Sequence, residues 1–330
     1  MNSLGRQFRV SILGESHGEC AGILIDGCPA GIPLSREEFS FDLNRRRGGR
    51  KGTTSRKEPD IPLLKTGLFE NRTTGAPILI LFENTNVDSS VYENIRFTPR
   101  PGQADFVAFH KYSGFNDYRG GGAFSGRLTA GLVAAGVIAK KIISPVSVEA
   151  QIIAAGGSNN IEAAVNKAVE KGESIGGIVE CTVRGLPIGL GEPFFDSVES
   201  LISHMVFSIP AVVGIEFGAG FSAARMTGKE NNDEICNLQG ITKTNNAGGI
   251  NGGITNGNEV VFKVAVKPTS SISASQRTIN VKTGARADIA VRGRHDACIA
   301  LRIPVIIEAV TAIIFADFMI VAQKIRRIAG

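Results

Sequence analysis

Between Gln7 and Leu13 the chain places Phe8, Val10 and Ile12 at every second position, with polar residues between them. A period of two is that of a strand with one buried face. The next run, CAGILIDGCP, is short, apolar and closed by Gly27 and Pro29, which predicts a second strand. PILILF (77–82), a stretch near 148–154, GGIVECTVRG (176–185) and EVVFKVAVKP (259–268) read the same way; in the last, Val260, Phe262, Val264 and Val266 alternate. Helical spacing appears in SREEFSFDLNRRR, where Ser35 and Glu38 have the separation of a capping box and Phe39 and Leu43 share a face. It recurs at 125–143 (Leu128, Leu132, Ala135), 160–171 (Ile161, Val165, Ala168) and 198–207 (Val198, Leu201, Ile202, Met205). Strands and helices mix without the regular spacing of a doubly wound sheet.

The stretch from Ile303 to Ala322 is apolar and about long enough to span a bilayer. Glu308 and Asp317 interrupt it and would be costly in hydrocarbon. It therefore predicts a buried helix, with Pro304 in its first turn and Lys324, Arg326 and Arg327 at the end where cations suit the helix dipole. No membrane partner follows from it.

Composition is globular, with 43% hydrophobic and 20% charged residues over 330 positions, and the length is read as one large domain. Five cysteines, an odd number at wide spacing with no C-x-x-C pair, argue against a disulfide framework and a zinc site, so no metal is expected. With no signal-peptide pattern in MNSLGRQFRV, the expected setting is cytoplasmic. Forty glycines exceed the usual share and cluster in DYRGGGAFSGR and NNAGGINGGITNG, as expected of loops whose backbone approaches a ligand closely.

Net charge is only +5, but the segment from Arg45 to Lys57 is basic with no acid in it. A solvated face, a nucleic-acid patch and a site for a small polyanion all remain open on charge alone. Stacking aromatics are absent from the segment and the chain has no tryptophan, so nucleic acid is the weakest of the three. A helix beginning near Ser125, shortly after Gly120, Gly121 and Gly122, offers free N–H groups and a dipole that favour an anion. Neither G-x-G-x-x-G nor a Walker A loop is present.

GESHG (14–18) matches the serine nucleophile elbow. An elbow opens a helix, however, and the residues after Gly18 predict a strand. A hydrolase built on Ser16 is a distant reading.

Several segments combine glycine with ionisable residues: GESHG, the span from Arg100 to Arg127, NNAGGINGG, KPTSS and RGRHDACIALRIPVIIEA. With LGRQFRVSILGESHG and SIPAVVGIEFGAGF, in this order, they resemble the chorismate synthase family over essentially the whole chain. The resemblance implies an α+β fold, a single-domain β-α-β sandwich over residues 1–330, assembled as a homotetramer. It implies a lyase that removes phosphate from 5-enolpyruvylshikimate 3-phosphate to give chorismate in the shikimate pathway, with reduced FMN as cofactor and an association with NADP. The hydrogen lost in that reaction has no adjacent carbonyl to acidify it, so the flavin carries the hard chemistry and the protein supplies position and field.

Carried over residue by residue, the resemblance makes His17 the proton donor or hydrogen-bond partner of the substrate phosphate. Asp296 becomes the aspartate that works in hydrogen removal. Arg294, Ala123, Phe124, Ser125, Ala211, Gly252 and the loop Lys267, Pro268, Thr269, Ser270, Ser271 become flavin contacts. Arg46, Arg50 and Arg127 become substrate contacts, since guanidinium forks suit a ligand with one phosphate and two carboxylates. Two positions depart from the pattern. Gln103 stands in RPGQAD where the family has histidine, and Ala123 stands where arginine or histidine is usual. These leave a second reading, a site-impaired homologue that binds flavin and an anionic ligand with little turnover.

Overall fold

In the computed structural model, residues 2–56, 58–291 and 295–324 are described. The alternating runs form β1 (Ser3–Leu4), β2 (Arg9–Gly14) and β3 (Cys20–Asp26). The capped segment becomes a 3₁₀ turn leading into α1 (Ser40–Arg46), with Phe39 and Leu43 buried. Only half of the expected capping box forms, since Ser35 N–H donates to Glu38 at 2.7 Å while the cap position itself has no side-chain bond. β4 (Leu63–Leu64) and β5 (Ile78–Glu83) complete an antiparallel sheet of order β1-β2-β3-β5-β4. Its register stacks Ile12, Ile23 and Ile80 across three strands.

Two short helices, Ser90–Ile95 and Asp105–Lys111, then lead to α2 (Thr129–Ile143). β6 (Ser147–Ala155), α3 (Ile161–Glu170), β7 (Gly177–Arg184), α4 (Val198–Val206), β8 (Val212–Phe217), β9 (Val260–Val266) and α5 (Ile303–Val321) follow. The second sheet is antiparallel, with order β8-β9-β7-β6. In β9 the four alternating apolar residues all point inward and are buried. β8 was not anticipated by the pattern, because as an edge strand it has no fully buried residue to mark its period.

The first sheet rests on α2, the second on α5, and α2 and α5 pack against each other. Small residues permit this closeness. A Cβ at Gly131 would stand 2.8 Å from the carbonyl oxygen of Gly22 in β3, and one at Gly136 would stand 2.3 Å from Ala309 Cβ in α5. Both helices are therefore buried almost all round, and one continuous cluster of apolar side chains joins the two sheets.

The helix expected to be buried rather than membrane-spanning is buried. The stretch containing α5 is apolar enough to cross a bilayer, yet 89% of its most apolar window lies inside the fold. Its two acids have partners, as a buried charge requires. Asp317 accepts from the backbone N–H groups of Arg6, Gln7 and Phe8 at 2.7–2.8 Å. Glu308 accepts from Arg45 at 2.6 and 2.7 Å and from Lys140 at 3.0 Å. Through Arg45, α5 fixes α1, whose last residue is Arg46.

Candidate active site

GESHG forms the tip of the β2–β3 hairpin, so no helix follows Ser16 and the nucleophile elbow is excluded. Of its two glycines only Gly14 is required by the turn. It has φ +85°, and a Cβ there would meet the carbonyl of Cys20 at 2.1 Å, whereas Gly18 has ordinary clearance. The loop Gly120, Gly121, Gly122, with positive φ at all three, lies against this tip. Ser16 N–H donates to Gly122 O at 3.1 Å, and a Cβ on Gly120 would stand 2.3 Å from the His17 ring. Glycine is there because the imidazole needs the space.

Ser16 and His17 are buried at 1% and 8% exposure. Ser16 Oγ accepts from Arg56 at 3.3 Å and has no base beside it among its hydrogen-bond partners. His17 Nδ1 lies 2.9 Å from Ser89 Oγ, and its ring meets Tyr92 edge-on. Burial lowers the His17 pKa to about 4, helped by the charges of Arg56 and Arg119 and opposed by Asp117 and Asp88.

His17 opens into a cleft of about 370 Å³ whose lining includes six arginines (46, 47, 56, 100, 127, 302) and four carboxylates (58, 60, 88, 296). The basic segment supplies three of the arginines. Arg46, at the end of α1, is buried and donates from Nη2 to Asp60 Oδ2 at 2.5 Å. Arg127 donates to Asp60 Oδ1, to Asn84 Oδ1 at 2.8 Å and to the carbonyl of Glu83 at 3.1 Å. Arg56 is held by Glu58 at 2.6 Å. Burial alone would raise the pKa of Asp60, but the Arg46 and Arg127 guanidiniums overcome it and hold the carboxyl below its usual range.

In the same cleft, Asp296 Oδ1 accepts from Thr54 N–H at 2.9 Å and Oδ2 pairs with Arg302 at 3.1 Å. Asp296 caps no helix. Arg302 also donates to the carbonyl of Arg46 at 2.8 Å. Thr269 and Ser271 line the cleft, as do Ser125 and Gln103. Ser271 Oγ accepts from Arg100 at 3.1 Å, and Arg100 is fixed by Asp105 at 2.7 Å.

The remaining expected contacts lie elsewhere. Lys267 Nζ and Ser270 Oγ both donate to Gly102 O, at 2.7 and 2.8 Å, so they brace the loop that carries Gln103. Pro268 packs against Gly176. Ala123 and Phe124 line a second, more apolar cavity of about 290 Å³, and Ser125 belongs to both cavities. Ala211, at φ +77°, accepts from Lys267 N–H at 2.8 Å. Gly252 turns the hairpin Ile250–Asn251 to Ile254–Thr255. Arg50 spends its guanidinium on the carbonyls of Arg45 and Leu301 at 2.9 and 3.4 Å. The described cleft lining includes none of Ala211, Gly252 and Arg50. Arg294 lies outside the described residues.

The sequence reasoning passed over Arg56, Glu58, Asp60, Arg100 and Arg302. All five stand in or beside quoted motifs, and three of the pairs are close in sequence, Arg56 with Glu58, Arg100 with Asp105 and Arg302 with Asp296, whereas Asp60 meets Arg127 only through the fold.

Five buried polar atoms of cleft-lining residues have no hydrogen-bond partner among the described residues: Arg46 Nε and Nη1, Arg47 Nε, Thr269 Oγ1 and His295 Nε2. Unmet buried donors of this kind are costly unless a ligand completes them. They fit a ligand with phosphate, carboxylate or ring-carbonyl oxygens.

The family model described as chorismate synthase matches residues 8–320. The chain belongs to the chorismate synthase family. It is 61% identical to the chorismate synthase of Chitinophaga pinensis over 329 residues, 99% of each chain. It is 45% identical to that of Dehalococcoides mccartyi (strain BAV1), again covering 99% of each. A crystal structure of chorismate synthase superposes with a TM-score of 0.75 at 26% identity, covering 97% of this chain and 93% of that one. Within the chorismate synthase family the mixed α and β architecture is therefore the expected one, and neither the relatives nor the cleft favours the site-impaired reading.

Proposed function

We propose that this chain is a reduced-FMN-dependent lyase that eliminates phosphate from 5-enolpyruvylshikimate 3-phosphate to give chorismate. In that reaction the C–O bond to phosphate and a ring C–H bond break, a second ring double bond forms, and inorganic phosphate leaves. The observation that carries the reading is Arg46, buried and paired on one nitrogen, with its other two nitrogens unpartnered in the same cleft as His17 and Asp296. An anionic substrate would complete that set.

Reduced FMN, when bound, would supply an electron-rich ring that assists the elimination without net oxidation or reduction. Ser125, Thr269, Ser271 and Gln103 are the cleft residues of this chain that would hold it. Arg46 and Arg127 bind and orient the anionic groups of the substrate. His17 is neutral near pH 7 in the ligand-free chain. A phosphate dianion beside it favours its protonated form, so His17 takes up a proton as substrate binds and donates it to the leaving phosphate. Asp296, ion-paired to Arg302 in the same cleft, assists hydrogen removal.

The same reading extends to a single β-α-β sandwich domain over residues 1–330, to a cytoplasmic setting, to an association with NADP and to a homotetramer. Exposed Phe194, Phe195, Phe221 and Leu238, each more than four-fifths accessible, support association with further copies. Mixing the protein anaerobically with reduced FMN and substrate, and following chorismate absorbance, tests the activity.

A further inference from the structure

Asp60 is a buried aspartate in the left-handed backbone region, at φ +48°, where an L side chain is disfavoured and glycine is the comfortable residue. Its side chain is inaccessible to solvent, and its two oxygens are divided between two guanidiniums that are themselves almost fully buried. Arg47 Nε approaches the same carboxylate at 3.7 Å.

The two main partners are not equivalent. Arg127 is anchored on every nitrogen: Nη1 to Asp60, Nε to Asn84 and Nη2 to the backbone of β5. Arg46 is held by a side chain only through Nη2, and its Nε and Nη1 have no partner among the described residues. The chain of contacts therefore runs from the rigid sheet to Arg127, through one carboxylate, to Arg46. We infer that Asp60 is a positioning residue that fixes Arg46 against the anchored Arg127 and so aims the free Arg46 N–H groups at an anionic group of the ligand. This rests on the proposed function for the identity of the substrate, but the anion-binding geometry stands on the contacts alone.

Charge and geometry make opposite forecasts here, which gives the inference a sharp test. If Asp60 merely diluted the positive field of the cleft, its neutralisation would tighten anion binding. If it positions Arg46, the same change loosens binding, because a buried hydrogen bond to a charged group is lost and the guanidinium turns away. Asp60→Asn keeps the size and tolerates the left-handed backbone. Asp60→Glu keeps the charge but displaces it by one methylene. Both variants are expected to raise KM for 5-enolpyruvylshikimate 3-phosphate about 10- to 100-fold, with a smaller change in kcat. Calorimetric titration of inorganic phosphate into the flavin-free full chain is expected to show the same loss of affinity.

A KM for Asp60→Asn that falls or stays level overturns the inference. So does an unchanged KM for Asp60→Glu, which keeps the test open should the asparagine variant fail to fold. Phosphate binding that is equal in parent and variants, or absent in the parent, overturns it as well. Failure of the parent chain to form chorismate counts instead against the proposed function, and the phosphate titration then still decides the role of Asp60.

Discussion

Arg302 holds Asp296: its Nη1 donates to both carboxylate oxygens, at 3.3 and 3.1 Å, while its Nε donates to the carbonyl of Arg46 at 2.8 Å. One side chain thus joins the carboxylate proposed to assist hydrogen removal to the backbone of the arginine proposed to bind the anion. Burial lowers the pKa of Arg302, with neighbouring Arg46 in the same sense and Asp296 opposing.

Arg302→Lys keeps the charge but cannot hold carboxylate and carbonyl together with one ammonium, since it lacks the planar array of donors. The expected outcome is a kcat about 10- to 100-fold lower, because misplacing a reacting group by about 1 Å costs on that order. Steady-state kinetics under anaerobic conditions checks it. Full activity in the lysine variant would mean that Asp296 is placed by Thr54 alone.

His17 gives a pH signature. Its folded pKa of about 4 lies below the value of about 6.5 in an unfolded chain. Between these values the unfolded chain binds a proton that the folded one refuses, so this group's contribution to stability is present above about pH 6.5 and is lost as pH falls toward 4. In an NMR titration of the ligand-free protein, the His17 ring should remain neutral at pH 6. Its midpoint should rise when inorganic phosphate is added, because a bound anion favours imidazolium. A ligand-free midpoint near 6.5 would contradict the burial described.

The layering of the fold depends on Gly136. A helix interior normally gains about 1 kcal/mol when glycine becomes alanine. Here the added methyl would stand 2.3 Å from Ala309 Cβ and 2.5 Å from its Cα, atoms of a helix backbone that cannot turn aside. Overpacking of this kind costs about 1–3 kcal/mol, so Gly136→Ala is expected to lower the denaturation midpoint, and Gly136→Val to lower it further. A stabilised alanine variant would show that α2 and α5 are farther apart than described.

The sequence made the interior legible because burial leaves a period. Val260, Phe262, Val264 and Val266 announced β9, and Leu128, Leu132 and Ala135 announced α2. The edge strand β8 left no such mark. At the cleft, motif resemblance found His17, Asp296, Arg46, Arg127, Thr269 and Ser271, yet it could not tell which way neighbouring side chains turn. Lys267 and Ser270 belong to the same loop as Thr269 and reach Gly102 instead, and Arg50 bonds two carbonyls although it shares the basic run with Arg46. Asp60 meets Arg127, and Arg302 the carbonyl of Arg46, only through folding, which no local pattern records. The two departures from the family pattern also separate in space: Gln103 faces the cleft, whereas Ala123 lines the apolar cavity beyond Ser125.

The central claim is elimination of phosphate by a reduced flavin that is not consumed. Its most direct test is to quantify phosphate and chorismate after anaerobic incubation of the protein with excess 5-enolpyruvylshikimate 3-phosphate and a small amount of reduced FMN. Equal amounts of the two products, far exceeding the flavin present, and neither product with oxidised FMN alone, are the result expected. Phosphate released at the same rate without flavin, or released without chorismate, would contradict the account.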